Sequence, residues 1–396
     1  MTTSLIDPPT AREPRASRSL LKAAWHSTAN IRILLIMTVL LVLIFGITQP
    51  IFLTPVNLIN AMSAVAVLWF VSIGATFVVI SGGIDLSSGA VAAASGVLLA
   101  QLVIAGVPSI VAIILAILFG ALLAGITNGL LIGYLQLNVF VVTLATMTSI
   151  TGAISLWTGT QSYYVSDPIL SWIAVGSLGP IPVVIAFMVI VWLVLLVLQR
   201  RSYFGRAVYA VGGGPLAARL SGIRTTRVTA LVYAVAGATA AMGGLVAVGR
   251  IGAATPIVDN TLPLQAIAAI LLGGSTLAGG AGGLGGTALG VVFIGLLQNG
   301  LSISGVPSFW QQVLTGVVLV IAVLGDRLKG RRLRWRPRRE RGGSVRASGG
   351  DPEGQPDHAG GQGAGDQPES AAASRLSTAH KSPEQSGRET HVAAPL

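Results

Sequence analysis

The sequence predicts an all-α protein, a polytopic transmembrane helical bundle of about ten spans with a glycine-broken segment in each half. Hydrophobic residues make up 53% of the chain and charged residues only 10%, whereas about 25% of a soluble domain is charged. Apolar runs close to the roughly 20 residues that cross a bilayer also recur through the central region. Scarce charge and long apolar runs together favour a membrane bundle.

Composition excludes several classes of chemistry. The chain has no cysteine, so disulfides, thiol catalysis and cysteine-based metal sites are excluded. No glutamate occurs between Glu13 and Glu340, and the four histidines all lie in the tails: His26, His358, His380 and His391. We therefore predict no metal site, no cofactor and no enzyme activity in the membrane body. The net charge of +11 lies in the tails and one loop, so topology accounts for it and no nucleic-acid partner is predicted.

Three regions are predicted. Residues 1–30 form a basic cytoplasmic N-terminal tail, residues 31–328 form the transmembrane domain, and residues 329–396 form a basic and then disordered cytoplasmic tail. The first apolar run follows a long charged lead, and no small-x-small cleavage site comes after it. It is therefore predicted to be a retained span rather than a cleaved signal peptide.

Ten apolar segments follow one another along residues 31–328. Glycines at 125, 129 and 133 recur at four-residue spacing, which predicts a face where helices approach closely. The segment after Pro263 is short. In an alternative interpretation, it crosses only half of the membrane. The predicted segments are 33–47, 58–80, 89–104, 110–132, 138–157, 181–198, 228–248, 264–272, 287–301 and 309–324.

The stretch 200–227 organises this topology. It holds six arginines and no acid, which indicates the cytoplasmic side. Six segments before it and four after it leave both termini cytoplasmic. Within the stretch, Pro215 predicts the start of a short helix and Gly222 its end, and such a helix at the inner face is a docking element.

Glycine pairs at 82–83 and 273–274 interrupt an apolar segment in each half. Breaks at corresponding places in two halves indicate a substrate pathway. Asp85 beside the first break is either an acid of that pathway or a helix N-cap. The tripeptides 128–130 and 299–301, both Asn-Gly-Leu, suggest a weak repeat. The predicted pathway residues are Ser81, Gly82, Gly83, Asp85, Ser87, Ser88, Asn128, Gly273, Gly274, Ser275, Thr276 and Asn299.

The sequence matches one glycine-rich nucleotide-binding pattern and lacks another. Residues 280–285 match G-x-G-x-x-G, but no βαβ unit or ribose-binding acid accompanies them. The four-residue spacing of Gly282, Gly286 and Gly290 instead predicts close helix packing. None of the three lysines follows a phosphate-binding glycine loop, so the chain is not expected to hydrolyse a nucleotide itself.

Aromatic residues lie in the segments predicted to face outwards. Tyr163, Tyr164 and Trp172 occur in a loop without basic residues, and Trp310 begins the last segment. They form either an interfacial aromatic belt or a contact surface for an external partner.

Residues 74–89 (GATFVVISGGIDLSSG) and 209–223 (YAVGGGPLAARLSGI) resemble motifs of the inner-membrane permease subunits of ribose/xylose-type, or monosaccharide, ABC importers. Residues 270–280 and 298–301 fit the same family. The resemblance implies that the chain forms the membrane path for a sugar. It also implies a second permease copy in a homodimer or related heterodimer, cytoplasmic ATPase subunits and an external sugar-binding protein. The implied ATPase-coupling residues are Gly213, Pro215, Leu216, Ala217, Ala218, Arg219 and Gly222.

The coupling motif departs from the family at two positions. Gly214 replaces the usual Asn and Leu216 the usual Glu, so docking through the apolar face of residues 216–218 is expected instead. A permease of the same class for branched-chain amino acids or another small polar solute remains an alternative. An ion-coupled carrier is a weaker one, because the segments hold almost no titratable group beyond Asp85.

Overall fold

Helices account for most of the described chain. The structure is a computed structural model that describes the backbone of residues 16–334 and the side chains of residues 31–324. Its helices are α1 (Ala16–Thr48), α2 (Pro55–Ala64), α3 (Ala66–Ile80), α4 (Ser88–Ile104), α5 (Ser109–Gly133), α6 (Val139–Thr158), α7 (Pro168–Val175), α8 (Val183–Arg201), α9 (Tyr203–Gly213), α10 (Pro215–Leu220), α11 (Thr225–Ile251), α12 (Leu262–Leu272), α13 (Leu284–Ile303) and α14 (Ser308–Arg334).

Two short antiparallel pairs interrupt the helices. Strand β1 (Tyr163–Tyr164) pairs with β4 (Ala253–Ala254), and β2 (Ser177–Leu178) pairs with β3 (Ile181–Pro182). The first pair joins the loop after α6 to the end of α11. The loop predicted from residue 159 to 180 therefore contains helix α7 as well as strand segments. Asp167 caps α7 by accepting from the N–H groups of Ile169 (3.0 Å) and Leu170 (2.9 Å).

Each of the ten predicted segments coincides with a helix or a bent pair of helices. Six helices are long and apolar enough to cross a membrane, and a seventh span arises if α2 and α3 count as one. Helices α4, α12 and the 308–324 part of α14 are apolar but shorter. The all-α membrane character is thus confirmed, while the count of about ten crossings stays a prediction.

The segment predicted as one helix from 58 to 80 is bent by 50° between α2 and α3. The cause is a side chain from another helix. Arg250 of α11 donates from Nη1 to the carbonyl oxygens of Ser63 (3.0 Å) and Ala64 (3.3 Å). A side chain that takes helix carbonyls out of the i to i−4 ladder is an ordinary cause of a kink.

Helix α11 is the centre of the bundle and packs against α3, α4 and α5. The predicted glycine face of α5 is confirmed, because Gly125 and Gly129 lie against Ala230 and Ala234 of α11. Lipid tails are as apolar as leucine, so helices in a bilayer associate by close contact of small residues. The glycines are needed because a β-carbon on Gly129 would lie 2.7 Å from the Ala230 Cα.

The glycine face predicted around residue 286 is confirmed in part. Gly286 lies against Gly273 and Gly290 against Ala269, so α13 packs closely on α12. Gly282 lies before α13 and contacts Ser275 instead. The tails predicted at residues 1–30 and 329–396 lie outside the described residues, except for the helical backbone of 16–30 and 329–334.

The α5–α11 contact makes a testable prediction. In Gly237→Ala, the new methyl group would clash with the Gly120 carbonyl oxygen of α5, and overpacking of this kind costs about 1–3 kcal/mol. We expect a lower midpoint of thermal unfolding in detergent, followed by tryptophan fluorescence. The matched control is Gly152→Ala in α6, where a methyl group meets open space and helix propensity improves. Equal midpoints for the two variants would contradict the packing.

Candidate functional site

The first glycine-rich break ends helix α3 with a left-handed turn. Gly82 has φ +85°, and the N–H of Gly83 donates to the carbonyl of Val78 at 2.9 Å. This is the hydrogen bond of a Schellman motif, in which glycine takes the left-handed position at little cost. The Ser81 hydroxyl also donates to this carbonyl at 2.7 Å, so backbone and side chain together satisfy the helix end.

The second break ends helix α12 in the same way. Gly274 has φ +92°, and the N–H of Ser275 donates to the carbonyl of Ile270 at 3.2 Å. Gly274 thus occupies the same position in the second break as Gly82 does in the first. The two breaks have equivalent backbone geometry, which supports the predicted correspondence between the two halves of the chain.

The two breaks touch each other. The N–H of Gly280, in the second break, donates to the carbonyl of Ile80 at the end of α3, with an N–O distance of 2.8 Å. A β-carbon on Gly279 would lie 2.9 Å from the Gly82 Cα. Such a short approach of backbone to backbone requires glycine on both sides, so these residues form one junction.

Helix α9 completes this junction. Gly212 lies against the Ile80 carbonyl and the Gly280 amide, and any β-carbon there would clash with both. A β-carbon on Gly280 would in turn lie 2.9 Å from the Gly213 Cα. We call the segments 80–83, 212–213 and 279–280 the glycine junction. Since α10 follows α9 directly, the junction connects α10 to both breaks.

Side chains of α8 and α9 anchor the second break. The Tyr209 hydroxyl donates to the Gly282 carbonyl at 2.8 Å. Burial raises the pKa of this hydroxyl more than Arg200 lowers it, so it stays protonated and able to donate. The Gln199 Oε1 atom accepts from the N–H of Leu284 at 3.3 Å and caps the start of α13.

Asp85 lies in a buried polar cluster at the start of α4. Its Oδ1 atom accepts from the N–H (2.8 Å) and the hydroxyl (2.6 Å) of Ser87. Asn128 of α5 donates to the same hydroxyl at 2.7 Å. The carboxylate thus closes the turn that precedes α4. The N-cap interpretation is wrong, because Ser87 is the N-cap residue of α4 and no side chain caps its first amides. A role in the pathway remains a prediction, since Asp85 is only 3% exposed.

Helix α10 has the predicted limits, with Pro215 first and a left-handed Gly222 (φ +83°) just beyond its end. Its exposed apolar face differs from the predicted one. Leu216 and Leu220 are 72% and 82% exposed, whereas Ala218 is buried at 4%. Residues four apart share a helix face, so Leu220 joins Leu216 and Ala218 points inwards.

Arg219 holds α10 to its neighbours. Its Nε atom donates to the Thr225 hydroxyl at 2.9 Å, at the start of α11. With the Gln136 amide oriented to bring its oxygen to the guanidinium, Gln136 accepts from Arg219 as well. One arginine thereby connects α10 to α11 and to the α5–α6 link.

A cavity of about 790 Å³ lies among α2, α4, α11, α12 and α13. This volume is within the usual range of ligand sites, roughly 300–1,000 Å³. Amide and hydroxyl groups line it, and each can both donate and accept hydrogen bonds. The cavity therefore suits a small polar solute. These groups belong to Asn60, Gln265, Gln298, Asn299, Ser302 and Gln311.

Some of these amides are held in place by hydrogen bonds. Asn299 and Asn57 exchange two hydrogen bonds of 3.0 and 2.9 Å between their side chains. Gln265 donates to the Thr261 hydroxyl at 3.2 Å. Arg250 also lines the cavity while it binds the bend of α2 and α3. Arg250 therefore connects the bend to the cavity.

Known proteins resemble this chain along most of its length. Residues 57–323 match the family described as branched-chain amino acid transport system / permease component. The ribose import permease protein RbsC of Bacillus subtilis is 41% identical over 298 residues, 73% of this chain and 90% of that protein. RbsC of Escherichia coli K12 is 33% identical over 299 residues, 74% and 93% of the two chains. The D-allose transport system permease protein AlsC of E. coli K12 is 35% identical over 292 residues, 73% and 89%. No solved structure gave a significant match.

The chain belongs to this permease family. The resemblance inferred from residues 74–89 and 209–223 is thereby confirmed. Permease subunits are transport components rather than enzymes, in agreement with the absence of catalytic motifs. The alternative of branched-chain amino acid transport is not favoured, because the relatives named above are sugar permeases.

The predicted pathway residues of the permease fall in different places. Only Asn299 lines the large cavity. The residues of the two breaks lie at or beside the glycine junction, and their role in transport remains a prediction. Asn128 lies on α5, the second helix after its break, whereas Asn299 lies on α13, the first helix after its break. The repeated Asn-Gly-Leu tripeptides are therefore not equivalent positions.

Sequence reasoning missed most of the cavity. Gln265 is a single amide inside an apolar segment, and no local motif includes it. Gln298 lies in the family motif at 298–301 but was not predicted to line the pathway. Their polarity within apolar helices was the available signal, since polar groups at depth usually face the bundle interior. Which amides share one cavity depends on how α12 and α13 pack.

The glycine junction predicts opposite outcomes for two adjacent substitutions. Gly212→Ala places a methyl group against the Ile80 carbonyl and should separate α9 from both breaks, whereas at Gly213 a methyl group meets open space. We expect Gly212→Ala to lower the midpoint of thermal unfolding and Gly213→Ala to leave it near the wild-type value. The measurement is fluorescence-detected unfolding of the purified permease. An unchanged midpoint in Gly212→Ala would show that the junction does not constrain the fold.

Proposed function

We propose that this permease subunit forms the transmembrane path for a monosaccharide, which an external binding protein delivers and separate cytoplasmic ATPase subunits drive across. The amide-lined cavity is the observation that carries this proposal. A sugar presents hydroxyl groups that both donate and accept, and amide side chains match them in both roles. The ribose and allose permeases among the relatives support the same substrate class.

Arg250 and Asp259 are the charged residues among the described ones that line the cavity. Arg250 donates from Nη1 to two helix carbonyls at the α2–α3 bend. Asp259 accepts through Oδ1 from the N–H and the hydroxyl of Thr261. Both charged side chains thus have partners within the chain, which is consistent with a neutral polyol as the solute.

Energy would reach the pathway through α10. In this proposal the exposed side chains of Leu216 and Leu220 enter a groove of the ATPase, as apolar anchors do at interfaces. Arg219 and the glycine junction then transmit the movement of α10 to the helix breaks. Because Gly212 contacts both breaks, a shift of α9 would act on both halves together.

The family to which the chain belongs supports a proposal for the assembly. We propose a multi-pass subunit of the cell membrane with both termini cytoplasmic, paired with a second permease copy as a homodimer or related heterodimer. Tyr164, Trp172 and Trp310 are 81%, 50% and 62% exposed, and they are proposed to face the external sugar-binding protein. The bundle surface otherwise faces the lipid bilayer.

The decisive experiment is reconstitution. The permease would be placed in proteoliposomes with its candidate ATPase and binding protein, and labelled ribose uptake and ATP hydrolysis would be measured together. We expect uptake to require ATP, the ATPase and sugar-loaded binding protein. Uptake that persists without the ATPase and collapses with the proton gradient would instead identify an ion-coupled carrier.

A substitution in the cavity tests the substrate path. Gln265→Leu removes one hydrogen-bonding group, worth about 0.5–1.5 kcal/mol, so we expect a roughly fivefold rise in the sugar concentration needed for half-maximal uptake. ATPase assembly should be unchanged. The matched control is Gln161→Leu, the same replacement at an exposed position that does not line the cavity. Equal effects of both variants would remove the cavity from the pathway.

A substitution at the tip of α10 tests docking. Leu216→Asp places a charge at an exposed apolar position, and loss of an interface anchor costs more than about 1 kcal/mol. We expect at least a tenfold weaker association with the ATPase, measured by co-purification over a concentration series. Leu216→Met keeps the apolar surface and should bind normally. Retained binding in Leu216→Asp would place the docking site elsewhere.

A further inference from the structure

A second cavity, of about 600 Å³, opens where the α5–α6 link meets the start of α11. Three arginines line it, Arg219, Arg224 and Arg227, and no carboxylate is among the described residues around it. We call this cavity the basic pocket. Within the described part of the chain, Arg224 and Arg227 are exposed and have neither an ion pair nor a side-chain hydrogen bond. The basic pocket thus concentrates positive charge without an internal counter-ion.

The backbone adds to this charge. Helix α11 begins at Thr225 on the rim of the basic pocket, and no side chain caps its first amides. The first turn of a helix has unpaired N–H groups and a partial positive charge. Arginine guanidinium groups beside such amides match the oxygens of a phosphate group. The chemistry of the basic pocket is that of a phosphate-binding site.

Apolar surface continues from the basic pocket along the two helices that form it. Leu130 lies one turn before Gly133 on α5, and Leu231 lies one turn after Arg227 on α11. These leucines are 47% and 54% exposed, and Tyr134 at the pocket is 74% exposed. A phosphate site bordered by exposed leucines and a tyrosine has the arrangement of a lipid headgroup at the membrane interface with its acyl chains alongside.

We propose that the basic pocket binds the headgroup phosphate of an anionic phospholipid, with an acyl chain along Leu130 and Leu231. Arg219 and Gly222, two of the residues implied in ATPase coupling, line the pocket, whereas Leu216 and Leu220, the exposed docking side chains, do not. The lipid would hold α5, α10 and α11 together through Arg219, which also binds Thr225. This inference does not depend on which solute the permease carries.

The test uses the full-length permease in nanodiscs of phosphatidylcholine, with and without phosphatidylglycerol. Native mass spectrometry would give lipid affinity and fluorescence would give the unfolding midpoint. Each arginine near a membrane surface strengthens the binding of anionic lipids. Removing two arginines should therefore weaken phosphatidylglycerol binding about 30-fold. We expect phosphatidylglycerol to bind and to raise the midpoint, and Arg224→Gln with Arg227→Gln to weaken the binding by this factor and to remove the rise in the midpoint. The control Arg201→Gln with Arg206→Gln removes two charges from α8 and α9, outside the basic pocket, and should retain both effects.

The other outcomes overturn the proposal. Equal binding of phosphatidylcholine, or full binding by the double variant, would show that the basic pocket is not an anionic-lipid site. An equal rise in the midpoint with inorganic phosphate in phosphatidylcholine discs would identify a free-anion site. Loss of ATPase association with unchanged lipid binding would identify a protein contact. If the double variant does not fold, the affinity of the wild-type permease for phosphatidylglycerol is measured at increasing salt concentration. Salt screens the attraction between phosphate and arginine, so this affinity must fall.

Discussion

The hydrogen bond from the Gly280 amide to the Ile80 carbonyl is the contact on which the rest of this permease depends. It joins the buried end of α3 to the segment between α12 and α13, where a backbone group left unpaired away from water would cost several kcal/mol. Polar side chains could satisfy such ends but would keep the backbones apart. Glycine satisfies them by direct approach, and for that reason both breaks and the end of α9 are made of it. The result is one junction where three separate parts of the chain meet.

Helix α11 connects this junction to the polar cavity. At one end Arg250 binds the α2–α3 bend and lines the cavity, and at the other Thr225 accepts from Arg219 of α10. Between them the helix is packed through small residues against α3, α4 and α5. A helix packed so closely moves as a rigid body rather than deforming. The movement of α10 proposed above would therefore reach the cavity through α11.

The parts of the site that depend on local sequence patterns were predictable. The glycine pairs at 82–83 and 273–274 stop helices because glycine adopts the left-handed conformation, and the limits of α10 follow from Pro215 and Gly222. The exposed face of α10 was predicted less well, since burial of Ala218 depends on what lies behind the helix. The polar cavity was missed except for Asn299, because its amides come from helices far apart in the chain. Their meeting depends on packing rather than on any short motif.

The amino-acid sequence by itself determined that this protein is an all-α membrane permease, because scarce charge, long apolar runs and two family motifs are properties of residues in order. It also located the helix breaks, since backbone conformation at glycine and proline is a local preference. Only the tertiary structure decided that the breaks touch, that Arg250 bends the second segment, and that a cavity collects amides from α2, α12 and α13. Each of these is a contact between residues distant in the chain. Such contacts depend on which helix faces pack together, and the composition of the chain does not indicate that packing.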